Sequence, residues 1–265
     1  MFDLSTLEAA LAHTIFSGNL HFAPVTDSTN NDALTAARAG APHGSVWFAD
    51  EQSAGRGRGG NAWRSAAGEG LYVSVLLRLP IPTARLLLLP LAAGLAAADA
   101  VRAVSGIEID LRWPNDLLIG HNKTGGILVE AGSEPNSDLN SGAFAVVGIG
   151  INVHQRSFDP GLATPATSLD LAASRSVSRQ ALLIALLRAL EREALALQDP
   201  ASAATIPTRI EAASSWVRGR SVEVHGPQAC TGVTAGLDTH GFLLVDTASG
   251  RVTVQTGGIR SPGIH

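Results

Sequence analysis

Cysteine occurs once in the 265 residues, at Cys230. No intramolecular disulfide can form, and a reducing, cytoplasmic setting is expected. No motif surrounds that thiol, so a small strand residue fits it better than a nucleophile does. Charge is sparse as well: 16% of residues are Asp, Glu, Lys or Arg, and the formal balance is −4. A chain of that charge is no overall electrostatic match for nucleic acid. Long hydrophobic runs are lacking too. The most apolar stretch, residues 86–98, contains Pro90 and falls short of the about 20 residues a bilayer needs, so it reads as a buried helix and no membrane partner is expected. Met1-Phe2-Asp3-Leu4-Ser5 has no basic start or long apolar run of a signal peptide. The 8 histidines are scattered, and no two share ligand spacing on one element, so no metal ligand is assigned. A Gly-x-Ser-x-Gly elbow is also missing, which argues against a serine hydrolase. Scarcest of the reactive groups is lysine. Lys123 is the only one, and all the other members of the 19 Lys/Arg side chains are arginine. A compact, mobile point charge kept among so many planar forks suggests work that arginine cannot do.

What is present is ample apolar material, 45% of residues, enough for a large domain or one domain plus a small one. Ser5-Thr6-Leu7-Glu8 reads as a capping box, predicting a helix to about residue 17. A short strand over 21–25 precedes a capped helix that Gly40 stops. Strands are predicted over 45–49, 71–79, 109–112, 116–119, 124–132 and 143–149. Helices are predicted over 84–104, with Pro90 in the first turn or at a kink, and from Ser178 to about 197. The polar stretch 134–142 reads as a mobile hairpin tip. After Trp216 short β runs separated by Gly, Asp and Pro predict a small antiparallel barrel. The expected organisation is α+β, a catalytic domain over 1–215 and a small β-barrel domain over 216–265, without the strict βαβ alternation of a Rossmann domain.

The densest chemistry lies in Glu51-Gln52-Ser53-Ala54-Gly55-Arg56-Gly57-Arg58-Gly59-Gly60-Asn61-Ala62-Trp63. Glycines let backbone approach a ligand, arginines suit phosphate or carboxylate, and Trp63 offers a flat face for a base. Gly55, Gly57 and Gly60 match G-x-G-x-x-G in form, but no helix follows and the acidic ribose partner is missing. The P-loop reading fails as well, because Asn61-Ala62 stands where Lys-Ser/Thr is needed. What survives is a loop that binds an anion through side chains and backbone, set against a surface glycine loop with incidental arginines.

Trp113-Pro114-Asn115-Asp116 is a rigid turn at a strand boundary. Asn115 can donate and accept at once, and Asp116 can orient a cation or accept a proton; a locally useful Asx-turn is the plainer alternative. Lys123 precedes Thr124-Gly125-Gly126, where paired glycines leave room beside a ligand. It could bridge an attacking carboxylate and a phosphate, or be a solvated hairpin lysine. Ser28-Thr29-Asn30 opens a helix, where capping and ligand binding by free N–H groups are compatible.

Taken together, these segments resemble the biotin protein ligase family (biotin–[acetyl-CoA-carboxylase] ligases) over roughly residues 21–262. Ser28-Thr29-Asn30 is similar to the family's S-T-N, and the run from Glu51 to Trp63 to its A-G-R-G-R loop. Trp113-Pro114-Asn115-Asp116 with Lys123 is similar to its W-P-N-D…K segment, and Gly148-Ile149-Gly150-Ile151-Asn152 to its G-x-G-I-N. The resemblance implies a class II aminoacyl-tRNA-synthetase-like mixed sheet with a small C-terminal β-barrel. It also implies that biotin and ATP, with Mg2+, give biotinyl-5′-AMP and pyrophosphate. The biotinyl group then passes to a lysine of the biotin carboxyl carrier domain of acetyl-CoA carboxylase.

By position, Ser28, Thr29, Asn30 and Gln52 would contact biotin. Gly55, Arg56, Gly57 and Arg58 would form the loop over biotin and the phosphate. Lys123, beside Gly125, would meet the biotin carboxylate and α-phosphate; Trp63, Asn115 and Asn152 would line the adenylate site. Lys123, Arg58 and Asp116 would be catalytic, Asp116 helping to deprotonate or orient the acceptor lysine. Arg112 stands where the family usually has lysine, and Asn61 where some members have arginine. A monomer or homodimer is expected. A lipoate or octanoate ligase of the same superfamily is the nearest alternative. A biotin-responsive repressor is not expected, since residues before 21 leave no room for a DNA-binding domain.

Overall fold

The computed structural model describes residues 2–133 and 143–263; the predicted hairpin tip at 134–142 lies outside them. Seven strands form one mixed sheet: β1 (Leu20–Thr26), β2 (Val46–Gln52), β3 (Gly70–Leu77), β4 (Asp110–Arg112), β5 (Asp116–Ile119), β6 (Asn122–Ser133) and β7 (Ala143–Asn152). Their order is β1-β2-β3-β7-β6-β5-β4. Only β1 and β2 run parallel; the other neighbours are antiparallel. A parallel pair needs a crossover. The helices are α1 (Leu4–Leu11), α2 (Thr29–Arg38), α3 (Thr83–Leu86), α4 (Leu89–Ser105), α5 (Leu169–Ala173), α6 (Arg179–Gln198), α7 (Pro200–Ala203) and α8 (Ile206–Ala212), and α2 supplies that crossover. The α+β mixed sheet expected from the sequence is the one observed.

Strand alternation sorts the two faces. On one face Leu71, Val73, Val75 and Leu77 of β3 pack with the alanine-rich side of α4 and the leucines of α6. On the other, Ala33 and Ala37 of α2 pack on Leu76, Phe144 and Val146. Residues 83–105 are apolar and long enough to cross a membrane by composition alone, but most of α4 is buried in this core.

Three local expectations are corrected. Helix α1 is capped by Asp3 rather than Ser5, its carboxylate accepting from the backbone of Ser5 and Thr6. The hydroxyls of Thr6 and Ser5 hold that carboxyl down to about 2. The helix predicted over 84–104 is two, because Pro90 lacks the N–H that would bond back to Leu86 and sits in the first turn of α4.

The third correction concerns the C-terminal region. Strands β8 (Arg218–His225), β9 (Cys230–Leu237), β10 (Leu243–Thr247), β11 (Gly250–Val254) and β12 (Gly258–Arg260) make an antiparallel sheet ordered β11-β10-β9-β8-β12. It is open rather than a closed barrel. β12 pairs with β8 over three residues only, too short to wrap round to β11. The second sheet shares the main core through Val222, Val224, Leu243 and Val245, and the Trp113 indole donates to the Gly241 carbonyl at 3.0 Å.

Candidate functional site

The sheet face beneath α2 carries an unusual row of small and polar residues. Pairing sets Ser74 of β3 opposite Gly148 of β7, and Gly148 opposite Leu128 of β6; one step along come Tyr72, Gly150 and Gly126. A Cβ on Gly148 would meet the Asn30 side-chain oxygen at 2.0 Å, and one on Gly150 would meet the Trp63 indole nitrogen at 2.7 Å. Two glycines at period two thus strip one face of β7, letting the start of α2 settle over one and Trp63 over the other.

Between them lies a narrow cavity of about 50 Å³. Its floor is a chain of polar contacts. Gln52 accepts from the Thr29 backbone at 2.9 Å and the Thr29 hydroxyl at 3.1 Å, and donates to Ser65 at 2.7 Å. The Ser74 hydroxyl reaches Thr29 Oγ1 at 2.8 Å and Asn30 Oδ1 at 2.5 Å. Asn30 donates to Glu130 at 2.9 Å. Ser28 stands at the cap position of α2 yet makes no side-chain capping bond, and it lines the cavity.

The glycine–arginine loop closes the opposite side. It folds on itself through the Gly57 N–H to Asn61 carbonyl bond at 2.7 Å and the Asn61 amide to Arg58 carbonyl bond at 2.7 Å. Its two arginines are held differently. Arg56 is ion-paired to Glu130 at 2.7 Å and donates to Asn31 at 2.7 Å. Arg58 donates to the Thr256 hydroxyl at 2.7 Å and to the Gly257 carbonyl. Burial pulls the Arg58 guanidinium down from its ordinary range, and the Asp116 charge opposes that.

Lys123 is no solvated hairpin residue. Its backbone is gripped by Pro165 and Thr167, its ammonium lies 2.5 Å from Asp116, and it sits 5.5 Å from the centre of the Trp63 ring. Asp116 is held from its other side by Arg112, at 2.6 Å and 3.1 Å. Burial alone would raise the Asp116 carboxyl, but the Lys123 and Arg112 charges outweigh it and hold the group below the usual carboxylate range. A carboxylate so held is a weak base. Asn115 donates to the Ile127 carbonyl at 2.8 Å, fastening the turn to β6; the Trp113–Pro114 peptide is cis.

A larger cleft of about 880 Å³ lies between the two sheets and shares Gly57, Arg58, Trp63, Asn115 and Lys123 with the narrow cavity. Its charged lining is Arg58, Arg64, Arg112, Lys123 and Arg260 against Asp116 and Asp159. In a chain of net charge −4 this cleft thus carries an excess of positive charge, and opposite charge is drawn to such a place.

Ser28, Thr29, Asn30, Gln52, Arg56, Gly57, Arg58, Trp63, Asn115 and Lys123 all line the narrow cavity, while Asp116 and Asn152 line the larger cleft. Gly55 and Gly125 line neither. They are close-approach positions, where a Cβ would meet the Trp63 carbonyl at 2.3 Å and the Gly150 carbonyl at 2.9 Å. Ser74, Glu130 and the segment 256–257 escaped the sequence reading. Ser74 did leave a signal: it is the one polar side chain amid the apolar run Leu71-Tyr72-Val73-Ser74-Val75-Leu76.

A polar-floored cavity opening on a cationic cleft, on a mixed sheet, suits a protein that binds a small polar ligand beside an anion. Residues 22–152 match the Biotin/lipoate A/B protein ligase family. The chain is 36% identical to the Biotin--[acetyl-CoA-carboxylase] ligase of Mycobacterium tuberculosis, covering 88% of this chain and 85% of that protein. It is 32% identical to the Bifunctional ligase/repressor BirA of Bacillus spizizenii, over 93% of this chain and 75% of that protein. The structure of the biotin protein ligase from Aquifex aeolicus in complex with biotin and ATP superposes with a TM-score of 0.77 at 29% identity, over 92% of this chain and 98% of that one. The chain belongs to this family, and within it to the biotin protein ligases.

Proposed function

We propose that the chain is an ATP-dependent biotin ligase. It forms biotinyl-5′-AMP from biotin and ATP, releases pyrophosphate, and transfers the biotinyl group to a lysine of a biotin carboxyl carrier domain. The observation that carries this is the polar floor of the narrow cavity. A cyclic urea offers two N–H donors and a carbonyl, which Ser28, Thr29, Asn30 and Gln52 can answer. The hydrocarbon of an octanoyl or lipoyl chain would offer nothing to the Ser28 hydroxyl, which makes no capping bond, and burying that hydroxyl unanswered costs about 1–3 kcal/mol.

In the first step a biotin carboxylate oxygen attacks the α-phosphorus and pyrophosphate leaves. Two anions must meet, and Lys123 stands where the narrow cavity joins the cleft. Its ammonium would pass from Asp116 to the meeting point, stabilising charge as it builds. In the second step the acceptor amine attacks the acyl carbon and AMP leaves. With its carboxyl held low, Asp116 is better suited to orienting Lys123 and the incoming amine than to removing a proton. The glycine–arginine loop covers the mixed anhydride and keeps water from it. Among the described residues no cluster of His, Cys, Asp or Glu makes a metal site. Magnesium would arrive on the nucleotide's phosphates, which supply ligands that the protein need not.

The test offers biotin, lipoate and octanoate in parallel, with ATP and a carrier domain, and weighs the product. Biotinyl carrier alone is expected. Preferential transfer of either of the other two acyl groups would overturn the assignment.

A further inference from the structure

Arg56 faces a carboxylate. Among the described residues Arg58 faces none at hydrogen-bond distance: its partners there are the Thr256 hydroxyl, at 2.7 Å, and the Gly257 carbonyl. Both belong to the turn between β11 and β12, which lines the same cleft as Lys123 and Trp63. Neutral acceptors fix a guanidinium in place without cancelling its charge. Two contacts use only part of a five-donor fork, so N–H groups remain for an anion. The turn is packed closely on β8: Gly257 has φ +129, and a Cβ there would meet the His225 carbonyl at 2.1 Å, so only glycine fits at that position.

We propose that Thr256 and Gly257 are positioning residues. From the second sheet they hold Arg58, with no carboxylate hydrogen-bonded to it among the described residues, against the phosphate of the adenylate, and so make that sheet part of the machinery that retains the intermediate. This rests on the reading of the protein as a biotin ligase. An Arg58 already ordered in this place loses little freedom when the phosphate arrives. One released from Thr256 would be a flexible side chain on an exposed loop.

The experiment uses the full chain loaded with biotin and ATP, and follows release of biotinyl-5′-AMP in a chase. Thr256→Val keeps the shape of the side chain and removes the acceptor. Release is expected to accelerate about tenfold, the lower end for one hydrogen bond to a charged group, with the KM for biotin unchanged. Thr256→Ser restores the acceptor and is expected to restore retention. In an Arg58→Ala background, Thr256→Val is expected to add nothing, because its target is gone. A Thr256→Val variant that holds the adenylate as the wild type does would overturn the positioning role, and so would one whose effect is the same with and without Arg58. A wild-type chain that forms no adenylate would overturn the ligase reading itself, and this proposal with it.

Discussion

The floor and the loop of the site are built by opposite means. The floor is set in regular structure: Ser74 is fully buried on β3, and Thr29 and Asn30 are nearly so at the start of α2. Each polar atom there answers another, and Gly148 lets helix and sheet come together. The loop is mostly exposed from Gly59 to Ala62. It is fixed at a few points: Trp63 on the bare glycines of the sheet, Arg56 on Glu130 and Arg58 on the second sheet. Specificity for a small neutral ring suits a preformed floor, since a misplaced donor there is costly. Retention of a reactive anion suits a cover that can be released, since the second substrate has to enter.

That contrast can be broken most severely where floor and loop meet. Lys123→Ala is expected to lower adenylate formation by about 10²–10³-fold, the range for a lost transition-state donor. Lys123→Arg should recover part of it, and pyrophosphate release reports both. On the floor, Gln52→Ala leaves the Thr29 donors unanswered. It is expected to raise the biotin KM by about 5- to 150-fold, from about 1–3 kcal/mol, with only a small change in adenylate release.

On the loop the pattern reverses. Gly150→Ala pushes a methyl into the Trp63 indole and should speed adenylate release by roughly tenfold, a clash of about 1–3 kcal/mol, visible in a chase. Glu130→Gln frees Arg56 while keeping an acceptor for Asn30. That pair is partly exposed, at 40% and 25%, so the change in adenylate retention should stay within about fivefold and shrink with added salt.

The smallest effect concerns pH. The Asp116 carboxyl is depressed in the fold, so its ion-pair stabilisation is complete above the ordinary carboxylate value and is lost only as pH falls through the depressed one. No inflection from Asp116 should appear between pH 5 and 8, and Asp116→Asn should leave the shape of the rate profile there unaltered.

Much of this was legible before any fold was known. The glycine–arginine loop, Trp113-Pro114-Asn115-Asp116 and Lys123 are chemically conspicuous in one dimension. Ser74, Glu130 and the work of Gly148 and Gly150 were not, because the sheet order β3-β7-β6 brings them together across large sequence gaps. Thr256 and Gly257 look like ordinary turn residues until the second sheet is placed. The open C-terminal sheet and the Asp3 cap were misread for a shared reason. Strand count does not reveal edge pairing, and the choice of Asp3 over Ser5 as cap turns on side-chain geometry that the sequence leaves open.

The solitary lysine has one more consequence. A mixed anhydride of biotin acylates amines, and a protein that makes one is the first amine-bearing surface the reagent meets. This chain carries a single side-chain amine, ion-paired to Asp116 in the fold. Its many guanidiniums stay protonated and are poor nucleophiles. For a ligase of the proposed kind, such a surface offers almost no side-chain amine for self-labelling, and the intermediate is spared for the partner that supplies one.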